Sequence, residues 1–109
     1  MTSNSSSSSA VVSDHNEAAL RSVNDVIQRS DGSVKQLEEE AAASWGDSSH
    51  LLHDFEKEEV RLTDALLALS ELREAALPGS AFELRMRDAE RKAAGIGARI
   101  DRAKSQCVY

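Results

Sequence analysis

Two histidines are the residues of this chain that come closest to a reactive site. His50 and His53 are three positions apart, with Asp47 before the pair and Glu56 after it. On a helix this spacing brings two imidazoles to one side, where they can share a metal ion with a carboxylate. The sequence has no HExxH motif, no Glu-x-x-His pair repeated on a second helix and no set of cysteines. We therefore expect no metal site and no cofactor.

The single cysteine, Cys107, has no histidine or aspartate pattern that would activate it as a nucleophile. Because no paired catalytic residues are visible, we expect a protein that is not an enzyme and has no small-molecule substrate. One cysteine forms no intramolecular disulfide, which is typical of a reducing compartment. No apolar run approaches the roughly 20 residues of a membrane span, so we expect no membrane insertion. The predicted location is the cytoplasm, with the nucleus as the alternative.

Basic side chains are concentrated near the C-terminus. Residues 1–79 carry 15 acidic and 6 basic residues, whereas residues 80–109 carry 4 and 7, in a chain of net charge −6. The basic set comprises Arg85, Arg87, Arg91, Lys92, Arg99, Arg102 and Lys104. Acidic residues interleave with it and no aromatic platform accompanies it, so nucleic acid is not the expected partner. We expect the acidic and basic halves to attract each other.

One heptad register positions most of the large apolar residues. It runs from Leu20 to Ala76, and thirteen of its seventeen a and d positions are apolar. Alternating steps of three and four residues are typical of a helix that packs a narrow seam against another helix. Such a seam has no stable free state in water, so the pattern predicts a helical partner.

Composition divides the chain into a tail and two helical segments. Residues 1–13 are rich in serine and are predicted to be a disordered tail. Residues 14–77 are predicted to form one long acidic helix, with possible kinks at 30–33 and 45–49, where glycine accompanies serine and aspartate. The alternative is three shorter helices separated by real breaks. The unbroken register favours the single helix.

A turn at residues 78–80 ends this helix, because Pro78 bars helix continuation and Gly79 supports a reversal. Ser80 and Glu83 have the spacing of a capping box for a second helix over 81–107, which is more basic. Its seam is formed by Phe82, Met86, Ala89, Ala93, Ile96, Ile100, Ala103 and Cys107. Short connections make antiparallel neighbours, so the predicted fold is all-α, a helical hairpin of coiled-coil type with a disordered N-terminal tail.

The hairpin places Glu58 within reach of Arg99 or Arg102, and leaves residues 14–49 with nothing to pack on. We interpret Gly95-Ile96-Gly97 as a point of close helix approach. Thirteen residues are predicted to form the partner-binding seam: Leu20, Val23, Ile27, Val34, Leu37, Trp45, Leu51, Leu52, Phe55, Leu62, Leu66, Leu69 and Leu72.

These features predict a non-enzymatic coiled-coil interaction protein. We expect a small subunit of a cytosolic multi-subunit complex, of the kind used as a trafficking, tethering or kinetochore scaffold. Its partners are then other coiled-coil proteins or further copies of itself. The alternative is a module that binds the cytoskeleton or nucleic acid through the basic C-terminal helix.

Overall fold

The computed structural model describes residues 14–44 and 49–107, which form three long helices. These are α1 (Asp14–Ala43), α2 (Leu52–Arg73) and α3 (Ala81–Cys107), and a short 3-10 turn, Ser49–Leu51, precedes α2. No strand occurs within the described residues. The predicted all-α class is therefore confirmed, whereas the predicted tail over 1–13 lies outside the described residues.

The first suspected kink lies inside a continuous helix. Helix α1 runs through residues 30–33 without interruption. Ile27 and Val34 lie on either side of this segment and are buried. Their burial outweighs the roughly 1 kcal/mol by which Gly32 weakens a helix.

The second suspected kink separates two helices, so the prediction of one helix over 14–77 was wrong. Helix α1 ends at Ala43, and the hydroxyl of Ser44 donates a hydrogen bond of 2.7 Å to the carbonyl oxygen of Glu40. This bond satisfies one of the carbonyl groups that a helix leaves open at its C-terminal end. The next regular element begins only at Ser49.

The predicted turn and helix cap precede α3 as expected. Gly79 has φ of 79°, a left-handed conformation that favours glycine. The backbone N–H of Glu83 donates to Ser80 Oγ at 3.1 Å, and the N–H of Gly79 donates to Glu83 Oε1 at 2.6 Å. The capping box is confirmed, except that its return hydrogen bond comes from Gly79 rather than from Ser80.

Ion pairs between α1 and α3 show that these two helices run in the same direction. Arg85 pairs with Glu17, and Arg99 pairs with Asp31, and in both pairs the residues are 68 positions apart. When the difference in residue number between facing residues stays constant along two helices, the helices are parallel.

Helices α2 and α3 are antiparallel. Arg73 pairs with Glu90, and Glu59, two heptads earlier, pairs with Lys104, two heptads later. The predicted hairpin direction agrees with this geometry. The connections therefore give an up-down-up bundle in which α1 contacts both other helices.

The three helices share one core made from the predicted seam positions. Its buried apolar members are Leu20, Val23, Ile27, Val34, Leu51, Phe55, Leu62, Ala65, Leu69, Leu72, Phe82, Met86, Ala89, Ala93, Ile96, Ile100 and Ala103. The expectation that residues 14–49 have nothing to pack on was wrong, because α1 folds back onto the hairpin. The reversal between α1 and α2 makes this possible.

A polar contact interrupts the apolar core between α1 and α2. Ser30 is fully buried and Glu58 is 7% exposed, and Ser30 Oγ donates to Glu58 Oε1 at 2.9 Å. Arg61 Nη1 lies 3.3 Å from the second carboxylate oxygen. The prediction that Glu58 meets Arg99 or Arg102 was wrong, because α1 supplies its partner. Any other register of α1 on α2 would leave a buried carboxylate without this donor.

We expect Ser30→Ala to reduce the free energy of unfolding by about 1 kcal/mol, because the buried carboxylate of Glu58 loses a hydrogen bond. The double variant Ser30→Ala/Glu58→Leu removes both polar groups and restores an apolar seam, so its stability should equal or exceed that of the wild type. Urea unfolding followed by circular dichroism measures both. A double variant that is less stable than Ser30→Ala would contradict this account.

Two glycines weaken α3 without a steric reason inside the chain. A Cβ atom added at Gly95 or at Gly97 would meet no atom within 4 Å. The interpretation of this segment as a close helix approach within the fold was therefore wrong.

Because Gly95 and Gly97 lie inside a helix with free space around them, we expect Gly95→Ala and Gly97→Ala each to stabilise the chain by about 1 kcal/mol. Thermal unfolding provides the measurement, and Gly79→Ala is the control. That control should destabilise, because residue 79 is left-handed and alanine is strained there. A loss of stability on replacing either helical glycine would show that its space is in fact required.

Candidate interaction surface

The two histidines singled out in the sequence are not joined by a third metal ligand within the described residues. Both His50 and His53 are exposed, and Asp47 lies outside the described residues. Within residues 14–44 and 49–107 no group of three or more histidine, cysteine, aspartate or glutamate side chains is arranged to hold a metal ion. In the same part of the chain no helix is sufficiently long and apolar to cross a lipid bilayer.

Most of the predicted partner-binding seam faces the chain's own helices. Nine of its thirteen residues are buried: Leu20, Val23, Ile27, Val34, Leu51, Phe55, Leu62, Leu69 and Leu72. Leu37 and Leu52 are half-buried against the same core, and Leu66 is 39% exposed. Trp45 lies outside the described residues.

The nine buried residues are therefore not accessible to another protein in the folded chain. Helix α1 covers the seam that the hairpin alone would have left open. A charged substitution such as Leu69→Asp would unfold this bundle, because Leu69 has no exposed surface in the folded chain. A loss of binding in such a variant would say nothing about a partner.

The basic residues near the C-terminus are largely neutralised within the chain. Five of the seven form ion pairs: Arg85 with Glu17, Arg87 with Glu83, Lys92 with Asp88, Arg99 with Asp31 and Glu38, and Lys104 with Glu59. Three of these residues, Arg85, Arg99 and Lys104, pair with carboxylates of the acidic half, in agreement with the expected attraction between the halves. These carboxylates leave little free positive charge for an anionic partner.

Arg99 is the centre of the ion pairs between α1 and α3. Its guanidinium contacts Glu38 at 2.8 Å and also Asp31, and these hydrogen bonds raise the pKa of Arg99. The hydrogen bond from Arg85 likewise lowers the pKa of the Glu17 carboxyl. Both shifts favour the charged forms, so the two ion pairs hold α1 against α3 at neutral pH.

A surface cleft with a volume of about 890 Å³ lies between α1 and α3. Its walls carry both charge signs and include the paired residues Arg85, Asp31 and Arg99, and Ile27 and Ile96 contribute apolar surface. The ion pairs of Arg99 and Arg85 join its two walls. We therefore assign this cleft to the packing of α1 on α3.

An exposed apolar cluster lies on the side of α2 that faces away from α1. Val60 and Leu67 are each 61% exposed, and Leu66 is 39% exposed. Val60 and Leu67 are one heptad apart, so they lie on the same outer stripe of α2. This cluster has no role in the core of the bundle.

A shallow recess on α3 adjoins this cluster. Ala94, Gly97 and Ala98 line a groove of about 340 Å³ between α2 and α3, and Leu66 lines its other wall. We call the combined surface of Val60, Leu66 and Leu67 with these three small residues the α2–α3 face. The face therefore has protruding apolar side chains on α2 beside a recess on α3.

Charged residues stand at the turn end of the α2–α3 face. Glu74 follows α2 and is exposed, and Arg87 and Arg91 lie on the exposed stripe of α3 that continues into Ala94 and Ala98. Arg87 pairs with a carboxylate one turn earlier on its own helix. Among the described residues neither Glu74 nor Arg91 forms an ion pair.

Sequence reasoning placed Leu66 in a partner-binding surface and Gly97 at a point of close helix approach, but it missed the other four residues of the face. A signal for two of them was present, because Val60 and Leu67 repeat at the heptad position opposite the seam. No family model, no curated protein and no solved structure matches this chain. The assignment of the α2–α3 face therefore rests on its geometry.

Because Arg99 joins two carboxylates of α1, we expect Arg99→Ala to lower the free energy of unfolding at low salt. Arg102→Ala is the matched control, since Arg102 is exposed and has no ion pair among the described residues. The difference between the two variants should shrink as salt rises, because exposed ion pairs are screened. Urea titrations at low and high salt measure it, and equal stability of the two variants at low salt would contradict the role of Arg99.

Proposed function

We propose that this chain is a non-enzymatic interaction protein of coiled-coil type, a small subunit of a cytosolic multi-subunit complex. Processes of the trafficking, tethering or kinetochore kind use such subunits. The chain joins its assembly through the α2–α3 face, and its partner there is an amphipathic helix.

One observation carries the proposal: apolar side chains remain exposed although the bundle has already buried its own seams. Leu67 and Val60 are each 61% exposed on one stripe, and Leu66 adds to them. A fourth helix laid between α2 and α3 would cover these residues and fill the recess at Gly97. Grooves between two helices accept a further helix in this way, with small residues that allow close approach.

The alternative function, binding of nucleic acid or the cytoskeleton through α3, has weaker support. Five of its seven basic side chains are paired with carboxylates of the same chain. Affinity for a phosphate backbone or an acidic protein surface requires cations that are free to replace counterions. The exposed apolar residues favour association between helices.

The proposal predicts that Leu67→Glu removes the chain from its complex while the fold remains intact. A glutamate at residue 67 costs the monomer little, because this side chain is mostly in water, but it buries a charge in the contact. The measurement is a tagged full-length chain recovered from its native cell, with the stoichiometry of co-purifying subunits read by mass spectrometry.

Leu84→Glu is the matched control, because Leu84 is 59% exposed but lines the cleft between α1 and α3. We expect the wild type and Leu84→Glu to recover the same stoichiometric set of subunits and Leu67→Glu to lose it. Circular dichroism checks that both variants are folded. Equal recovery by the two variants would contradict an interaction through the α2–α3 face.

A further inference from the structure

We infer that the helices received by the α2–α3 face belong to a second copy of this chain, so that two copies form a two-fold symmetric dimer. This inference rests on the proposed function and names its partner. In the dimer, α2 of each copy lies antiparallel on α3 of the other copy. The pattern of side-chain size and charge along the exposed stripes of α2 and α3 supports this pairing.

The register of α2 on α3 within one chain shows which residues of the two helices lie at the same height. Within one chain, Arg73 lies opposite Glu90 and Glu59 lies opposite Lys104. Leu66 is one heptad from each of these α2 residues, so it lies opposite Gly97, and both line the same groove. In the dimer, each residue of α2 in one copy lies opposite the residue of α3 in the other copy that is at the same height. A two-fold axis parallel to the helices preserves these levels.

Large side chains then meet small ones at the centre of the contact. Leu67 falls between Ala94 and Ala98 of the second copy, two small residues that line a recess on α3. Gly97 adds space at that point, since nothing in its own chain lies within 4 Å of an added Cβ. Alternation of large and small residues is how facing helices reach close packing.

Opposite charges meet at the end of the contact near the turn. Glu74 falls between Arg87 and Arg91 of the second copy, and the two-fold axis repeats this contact. Among the described residues neither Glu74 nor Arg91 has an ion pair in its own chain. Charge pairs of this kind contribute more to orientation and specificity than to affinity, so they fix the direction in which the copies join.

The topology of the four helices is also favourable. Among the four helices that meet in this contact, α2 of each copy has two neighbours, its own α3 and the α3 of the second copy, and both are antiparallel to it; α1 of each copy packs outside these four. Bundles in which all adjacent helices are antiparallel are a common and stable arrangement. A symmetric contact of this type requires a self-complementary surface, and the α2–α3 face combines both halves of such a surface on one chain.

The test is a charge exchange between copies of the purified full-length chain, followed by sedimentation equilibrium. The wild type should approach twice its mass of 11.8 kDa as concentration rises. Glu74→Arg alone and Arg91→Glu alone should each weaken the dimer by about tenfold or more, because each sets like charges against each other twice. An equimolar mixture of these two variants should regain dimer formation, because residues 74 and 91 are then oppositely charged in both contacts.

Matched controls separate this contact from a general effect of net charge. Glu71→Arg and Arg102→Glu make the same changes of charge on the same two helices, at exposed positions on the other flank. Neither should alter dimer formation, alone or mixed. Circular dichroism verifies that all four variants keep their helix content, and Leu67→Glu serves as a second disruptive variant that does not depend on charge pairing.

Each outcome decides the inference. Recovery in the mixture together with inert controls supports it. A wild type that stays monomeric up to about 500 μM overturns it, as does a dimer that Glu74→Arg, Arg91→Glu and Leu67→Glu leave intact. A monomer that still recovers its subunits from cells in a manner dependent on Leu67 would overturn the second copy as the partner while the proposed function stands.

Discussion

The mutual burial of three narrow apolar seams is the constraint on which the rest of this structure depends. No helix here is apolar on all sides, and a seam of this width leaves a helix unstable unless a neighbour covers it. Helices α2 and α3 cover each other only in part. Helix α1 completes the burial, and in doing so it fixes which side of the hairpin remains open.

The position of α1 is specified by polar contacts as well as by apolar ones. The hydrogen bond from Ser30 to Glu58 lies inside the core, and Arg99 holds two carboxylates of α1 at the surface. The apolar seam alone tolerates a shift by one heptad, since leucine, valine and isoleucine substitute for one another at modest cost. The loss of the Ser30 donor weakens the hydrogen bonding of the buried Glu58 carboxylate, so this contact favours one register over the others.

Local sequence determined the helical class, the α3 seam and the capping box, because each depends on spacing and on hydrogen bonds between near neighbours. It did not separate the two suspected kinks. A glycine has a similar free-energy cost in a helix at either position, 32 or 46, and serine and aspartate are near both. The difference is tertiary, because Ile27 and Val34, on either side of Gly32, are buried in the core of the bundle. The same limit explains the seam: its pattern predicts a helical partner without stating whether that helix belongs to the same chain.

The size of the α2–α3 face sets the strength expected of a contact between copies. Each copy offers three partly exposed apolar side chains, worth on the order of 1 kcal/mol each when buried. Six such side chains exceed the lower estimates, about 4 kcal/mol, for the loss of rotational and translational freedom on association, and the repeated charge contacts of Glu74 add to this surplus. Two free copies should therefore associate at concentrations on the order of hundreds of micromolar, where sedimentation equilibrium detects the dimer. Because this surplus is small, the fraction of chains that are dimeric depends on their concentration, and loss of one repeated contact is sufficient to lower it.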